Sequence, residues 1–278
     1  MPDPRALSIA TDDGVTLSGE ESGDGPAIVL LHGLTATRRY VVMGSRLLER
    51  SGHRVLAYDA RGHGRSSAAP EREYGYQRLA ADLRAALNAT GIERAIIAGA
   101  SMGAHTAMRF ALDHPERVAA LGLITPSYEP TAHAHADFAA WDALAAGLRD
   151  GGVDGFVRAY DLAAVPEGWR ATVEQVLRQR LSAHEHPEAV ADALEVVPRS
   201  RPFEDLGELA RIDAPTVVVA SRDEADPGHP LEVGERYALA IAGARLIVED
   251  AGPPSRSPIA WQGGQLSKVL VELARHST

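Results

Sequence analysis

The sequence predicts an α/β protein: a mainly parallel, doubly wound sheet with helices on both faces and a helical insertion before its last strands. Three observations carry this. Short continuous apolar runs such as Ala27–Leu31 (AIVLL) and Thr216–Ala220 (TVVVA), bounded by glycine, proline or polar residues, read as strands buried on both faces. Stretches with apolar residues at helical spacing lie between such runs, so strand and helix alternate at both ends of the chain. Residues 126–213 hold helical patterns and no strand-like run, far more chain than a crossover needs.

Taken in order, residues 7–10 and 15–20 pair as a hairpin about Asp13-Gly14. The strand Ala27–Leu31 ends at His32-Gly33, and a helix over 40–51 stops at Gly52. Residues 55–58 form a strand that closes on Asp59. The spacing of Leu79, Leu83 and Leu87 predicts a helix over 77–90 that stops at Gly91. Residues 95–99 are a buried strand, followed by a turn at Ser101 and a helix to about Asp113. Residues 119–124, Thr216–Ala220 and 245–249 are further strands, and the last helix spans about 259–275. The insertion carries helical patterns over 138–149, 153–160, 171–182 and Pro187–Val196. The expected organisation is therefore a core of 1–125 and 214–278 with a cap of 126–213.

Bulk composition excludes several function classes. The chain has 278 residues, 45% hydrophobic and 24% charged, in the range of a folded domain and not of a disordered chain. A formal net charge of −10 argues against nucleic-acid or anionic-membrane partners, which need a basic surface. With no cysteine, a disulfide framework, a thiolate nucleophile and a cysteine-ligated metal are excluded. The N-terminus has no apolar signal-like run and no later run is long enough to span a bilayer, so a cytoplasmic location is expected. The oligomeric state is not readable.

The chemistry is carried by Gly99-Ala100-Ser101-Met102-Gly103, a G-x-S-x-G pattern. A serine at the apex of a sharp strand-to-helix turn needs small neighbours on both sides, and the helix that follows aims its N–H groups and positive dipole end at the site. The pattern is short, but the preceding AIIAG strand and the following helical run give it its context. A glycine-rich βα turn with a capping serine would look similar without the chemistry.

His32-Gly33-Leu34 follows directly on the Ala27–Leu31 strand. Together with the elbow, this strongly resembles the α/β-hydrolase family over nearly the whole chain. The resemblance implies a catalytic Ser101, an oxyanion hole from the backbone N–H groups of Leu34 and Met102, an acid on a later loop and a histidine near the C-terminus. No metal or cofactor is implied. Asp59-Ala60-Arg61-Gly62-His63-Gly64-Arg65-Ser66 resembles the D-x-R-G-x-G-x-S loop of the same family. His32 and His63 are expected to be structural, and His105, one turn past Ser101, to pack beneath the elbow.

The acid belongs on the loop Ser221-Arg222-Asp223-Glu224-Ala225-Asp226-Pro227-Gly228-His229-Pro230. Counting from the strand end favours Asp223, whereas the spacing to Pro230 favours Asp226, which is preferred. The histidine departs from the family pattern: its place after the last strand reads Asp250-Ala251-Gly252-Pro253-Pro254, and no histidine occurs from Pro230 through Arg275. His276 lies beyond the far end of the last helix. Three alternatives remain. His229 on the acid loop replaces the usual base; a cap histidine (His133, His135, His184 or His186) descends on the serine; or Ser101 has no base.

The leading expectation is a serine hydrolase of ester, thioester or lactone bonds, with Ser101, His229 and Asp226 as its triad. Its substrate would be a small apolar acyl-type molecule held beneath cap aromatics Phe138, Trp141, Phe156, Tyr160 and Trp169. The alternative is a non-hydrolytic member of the fold, a small-molecule binder, lyase or cyclase.

Overall fold

The computed structural model describes residues 3–222, 226–251 and 257–276. Among these, eight strands form one sheet in the order β1-β2-β4-β3-β5-β6-β7-β8. They are β1 (Arg5–Ala10), β2 (Thr16–Ser22), β3 (Ala27–Leu31), β4 (Arg54–Tyr58), β5 (Ala95–Ala100), β6 (Val118–Ile124), β7 (Thr216–Ala220) and β8 (Arg245–Val248). The β1–β2 and β2–β4 pairs are antiparallel, and every other pair is parallel.

Burial explains the order. β7 is buried along its whole length and β6 nearly so, because β-branched and leucine side chains fill both faces of a central parallel strand. The edge strand β1 alternates exposed and buried positions instead. On one face, α2 (Tyr76–Ala89), α3 (Met102–Asp113) and α8 (Leu231–Ala240) pack Leu83, Leu87, Met108, Phe110 and Tyr237 against the sheet. On the other, α1 (Leu47–Arg50) and α9 (Gly263–Arg275) supply Leu48, Leu266 and Leu270.

Two elements depart from the expected series. The helix expected over 40–51 is a turn around Arg38–Tyr40, a tight bend and the single turn of α1. Met43 and Gly44 adopt positive φ (48° and 75°), which ends any right-handed helix, and Val41 and Val42 are buried as loop residues. Conversely, α8 gives little periodic signal, because Gly234 interrupts its buried face. That glycine is required by a close approach: a Cβ there would lie 2.8 Å from Ala220 Cβ on β7.

Between β6 and β7 the described chain holds only helices: α4 (Pro130–Ala134), α5 (Ala139–Ala159), α6 (Glu167–Leu181) and α7 (Pro187–Val196), with short single turns. α5 joins the two helices expected over 138–149 and 153–160, bent where Gly151 and Gly152 leave helical geometry (Gly152 φ 56°, ψ −145°). The insertion has its own core, including Leu148, Phe156, Leu177, Val190 and Leu194. A second cluster joins it to the sheet's helices, with Ala189, Ala193 and Val197 against Ala60, Tyr76 and Met102.

Candidate active site

The parallel strands deliver the site. Leu31 pairs with Gly99, and Ala100 with Ile124, so the chain leaves β3, β5 and β6 at one edge of the sheet. The loop after β7 opens at the same edge, where Ile124 pairs with Val219. Loops at the carboxyl ends of parallel strands are where open α/β sheets gather their functional groups.

Ser101 is the turn between β5 and α3, with φ 51° and ψ −113°. A non-glycine residue holds such a conformation only where its surroundings over-determine it. Here the flanking glycines do so. A Cβ on Gly99 would sit 2.2 Å from the Gly103 carbonyl, and one on Gly103 would sit 2.2 Å from Leu31 O. The strand and helix therefore cross at backbone contact, and the serine is pushed out at the crossing.

The loop after β7 supplies the partners. His229 Nε2 lies 2.8 Å from Ser101 Oγ, and His229 Nδ1 lies 2.8 Å from Asp226 Oδ1. A carboxylate can only accept, so Nδ1 carries the proton and donates it to Asp226, which leaves Nε2 to accept from the serine hydroxyl. The two partners occupy the ends of one β-turn, closed by His229 N donating to Asp226 O at 3.1 Å, with Pro227 and Gly228 between them. Burial pushes the Asp226 carboxyl up, but the His229 imidazole and, further off, the Arg180 guanidinium outweigh it and hold it below the usual carboxylate range. Asp223, the competing acid, and 252–256, the usual histidine position, lie outside the described residues.

Five of the other histidines are held by hydrogen bonds elsewhere. His105 Nε2 accepts from the N–H groups of Ser127 and Tyr128, at 3.0 and 3.1 Å, so its Nδ1 donates to Tyr76 Oη. It is buried beneath the elbow, and desolvation, with a smaller contribution from His229, lowers its pKa to about 3. His32 accepts from Ala60 N through Nε2 and donates to Gly33 O through Nδ1, bracing the loop after β3. His63 Nδ1 donates to Arg61 O. Of the insertion's histidines, His184 donates to Thr35 O and accepts from Gly64 N, and His133 donates to Pro198 O. His135, His186 and His276 are exposed.

The loop after β3 lies against the serine: a Cβ on Gly33 would be 3.4 Å from Ser101 Cβ. Among the described residues, neither the Leu34 nor the Met102 N–H finds an acceptor within the protein. Met102 opens α3, where the first N–H groups of a helix have no intrahelical partner. Two free donors thus lie on the residues that follow Gly33 and Ser101. Of the aromatics expected to line a pocket, Phe156 is buried in the insertion's own core and Trp141 stands at the surface. Trp169 packs edge-on against Trp261 at 5.6 Å, Phe138 lies under the Arg199 guanidinium, and Tyr160 stacks on Phe156.

Arg180, on the last turn of α6, was not singled out in the sequence. Its Nη2 is 3.4 Å from Leu34 O, and it would be 3.9 Å from a Cβ on Gly33. An arginine in the last turn of a helix is ordinary, so its spacing gave no signal.

A family model described as alpha/beta hydrolase fold matches residues 26–165. The chain is 34% identical over 203 residues to the "Putative carbamate hydrolase RutD" of Variovorax paradoxus (strain S110), covering 73% of this chain and 75% of that protein. Among solved structures, a hydrolase from Pseudomonas aeruginosa PA01 is 28% identical, with a TM-score of 0.77 over 97% of this chain and 98% of that one. A thermophilic esterase from Thermogutta terrifontis is 26% identical, also with a TM-score of 0.77, over 99% and 100% of the two chains.

Proposed function

Because this chain belongs to the α/β-hydrolase fold family, we propose that it is a serine hydrolase of carboxylic-ester-type bonds in which His229 takes the place of the family's usual base. The observation that carries this reading is the continuous relay from Ser101 Oγ through His229 to Asp226, each link 2.8 Å long. A serine hydroxyl near its free pKa is a weak nucleophile, and an adjacent neutral imidazole is what activates it.

The steps follow from the geometry. Ser101 Oγ attacks the acyl carbon as its proton passes to His229 Nε2. The carbonyl oxygen takes up negative charge, which the Leu34 and Met102 N–H groups and the N-terminus of α3 stabilise. Asp226 stays ionised throughout, fixing the imidazole's tautomer and favouring its charged form. His229 then gives its proton to the departing alkoxide, leaving an ester on Ser101. In the second half, His229 removes a proton from water, the hydroxide attacks the acyl-enzyme, and the acid product leaves as Ser101 regains its proton. The helical insertion serves as a cap over this edge of the sheet, joined to it through His184, Glu185 and the Ala189–Met102 cluster.

A carbamate presents the same kind of acyl carbon, and the name of the Variovorax relative makes it the second substrate to try. Short acyl nitrophenyl esters and a fluorophosphonate probe test the reading. Wild-type protein is expected to turn over the ester and to be labelled at Ser101, and Ser101→Ala to lose both. Equal, slow hydrolysis by the two proteins, with no labelling, would instead favour a non-hydrolytic binder, lyase or cyclase built on the same fold.

A further inference from the structure

Among the described residues, Arg180 reaches the Ser101 loops from the insertion and has no carboxylate partner. Arg180 Nη2 and Ser101 Cβ both lie within 4 Å of the same point beside Gly33. The guanidinium's single hydrogen bond among the described residues is the long 3.4 Å contact from Nη2 to Leu34 O, and its Nε is buried with no acceptor at all. The Tyr40 ring faces it, 5.8 Å from Cζ to the centroid.

Two other shielded arginines are paired differently. Arg149 reaches Asp192 and Glu195, and the fully buried Arg61 reaches Asp13 and Asp82. An arginine cannot shed its charge in a protein, and a desolvated charge without a counter-ion is costly. Burial does push the Arg180 guanidinium's pKa down, against the pull of Asp226, Tyr40 and Tyr160. Asp226 already serves His229 at 2.8 Å and forms no ion pair with Arg180. An arginine that spends one N–H on a distant carbonyl keeps the fork that matches a carboxylate bidentately.

We propose that Arg180 is the anion-recognising residue of the Ser101 site, and that the substrate is an ester carrying a free carboxylate a few bonds from the scissile carbonyl, as in a hemiester of a short dicarboxylic acid. This rests on the serine-hydrolase reading for the bond that is broken, though not for the anion that is bound. It replaces a wholly apolar acyl group by an apolar stem with an ionised end. Displacement of the weak Leu34 contact by the carboxylate would also leave the oxyanion loop held from the substrate side.

The test compares mono-p-nitrophenyl glutarate with p-nitrophenyl butyrate. Wild type is expected to prefer the hemiester in kcat/KM. In Arg180→Gln the hemiester-to-butyrate ratio should fall by about tenfold or more, mainly through KM, and Arg180→Lys should hold part of it. Because the readout is a ratio, partial misfolding of a variant, which lowers both rates alike, does not imitate it. An unchanged ratio, or no preference in wild type, overturns the proposal while leaving Ser101-dependent esterase activity intact. Binding of glutarate monomethyl ester by calorimetry, to Ser101→Ala and to Ser101→Ala/Arg180→Gln, needs no turnover. About tenfold weaker binding in the double variant supports the anion site even if Ser101 proves not to hydrolyse esters, and equal binding overturns it.

Discussion

At the scale of single residues, the serine's exposure is a consequence of two absent methyl groups. The contacts a Cβ would make at Gly99 and Gly103 are with backbone, which cannot swing aside as a side chain can. Gly103→Ala is therefore expected to cost at least about 3 kcal/mol, the upper end for an overpacked site, and to abolish activity together with the elbow. Urea unfolding measures it, and a loss below about 1 kcal/mol would show that β3 and α3 can part. Asp226 makes a different prediction. Asn at that position can hold the ring but offers an N–H or a neutral acceptor, so the imidazole loses both its tautomer preference and its charge stabilisation. Asp226→Asn should lower kcat by about 10³–10⁴ while KM and the urea midpoint stay near wild type. Asp223→Asn is the natural comparison, since the sequence left both aspartates open, and an equal loss there would reassign the acid.

At the scale of elements, Arg61 shows how loops without regular structure are fixed. It is fully buried, gives two hydrogen bonds of 2.7 and 2.6 Å to Asp82 on α2, and reaches Asp13 in the β1–β2 turn at 2.8 Å. One guanidinium thus ties hairpin, post-β4 loop and helix. Arg61→Met removes the cation and leaves two carboxylates facing each other in low dielectric, an arrangement expected to cost about 3–5 kcal/mol. Arg61→Met/Asp82→Leu should recover part of that, and equilibrium denaturation of both variants decides. Sequence pattern was most legible for these packed elements. The buried strands announced themselves as apolar runs, and the helix Pro187–Val196 was readable to its termini because proline starts it. The stretch before α1 was misread because Val41 and Val42 are apolar for the sake of burial beneath α9, not for a helical stripe; Val42 O abuts Gly263. At the site, glycine spacing located the elbow because backbone crowding demands specific residue types. Arg180 left no such trace, since its meaning comes from what it fails to touch, and only three-dimensional neighbours reveal that.

At the scale of the whole molecule, four imidazoles, three buried and one half-buried, shape how the fold responds to acid. Burial lowers the pKa of His32 to about 4 and of His105 to about 3, and it pushes His63 and His184 below the ordinary histidine value as well. Each is neutral in the folded chain, and hydrogen bonds from backbone N–H groups to ring nitrogens of His32, His105 and His184 require it. The unfolded chain takes up these protons first, near pH 6.5. Stability is therefore complete above about pH 6.5 and falls as the pH drops toward the folded values, by about 1.4 kcal/mol per pH unit for each group within its window. The melting temperature should drop markedly between pH 7 and pH 5, and a flat profile over that range would contradict the neutral assignments. Three of the four, His32, His63 and His184, lie together where the loop after β3 meets the insertion, with ring centroids 5.2 and 5.5 Å apart. Acid should loosen that junction before it reaches the sheet, which amide exchange in residues 32–35 and 60–66 would resolve.

The turn from Asp226 to His229 has a consequence for heredity as much as for chemistry. When base and orienter come from separate loops, each must be inherited in register with the other, and an insertion in either loop breaks the pair. Here the proposed base and orienter travel within a single stretch of four codons, whose internal geometry is set by its own proline, glycine and backbone hydrogen bond. Such a unit could be moved between related proteins by one short recombination.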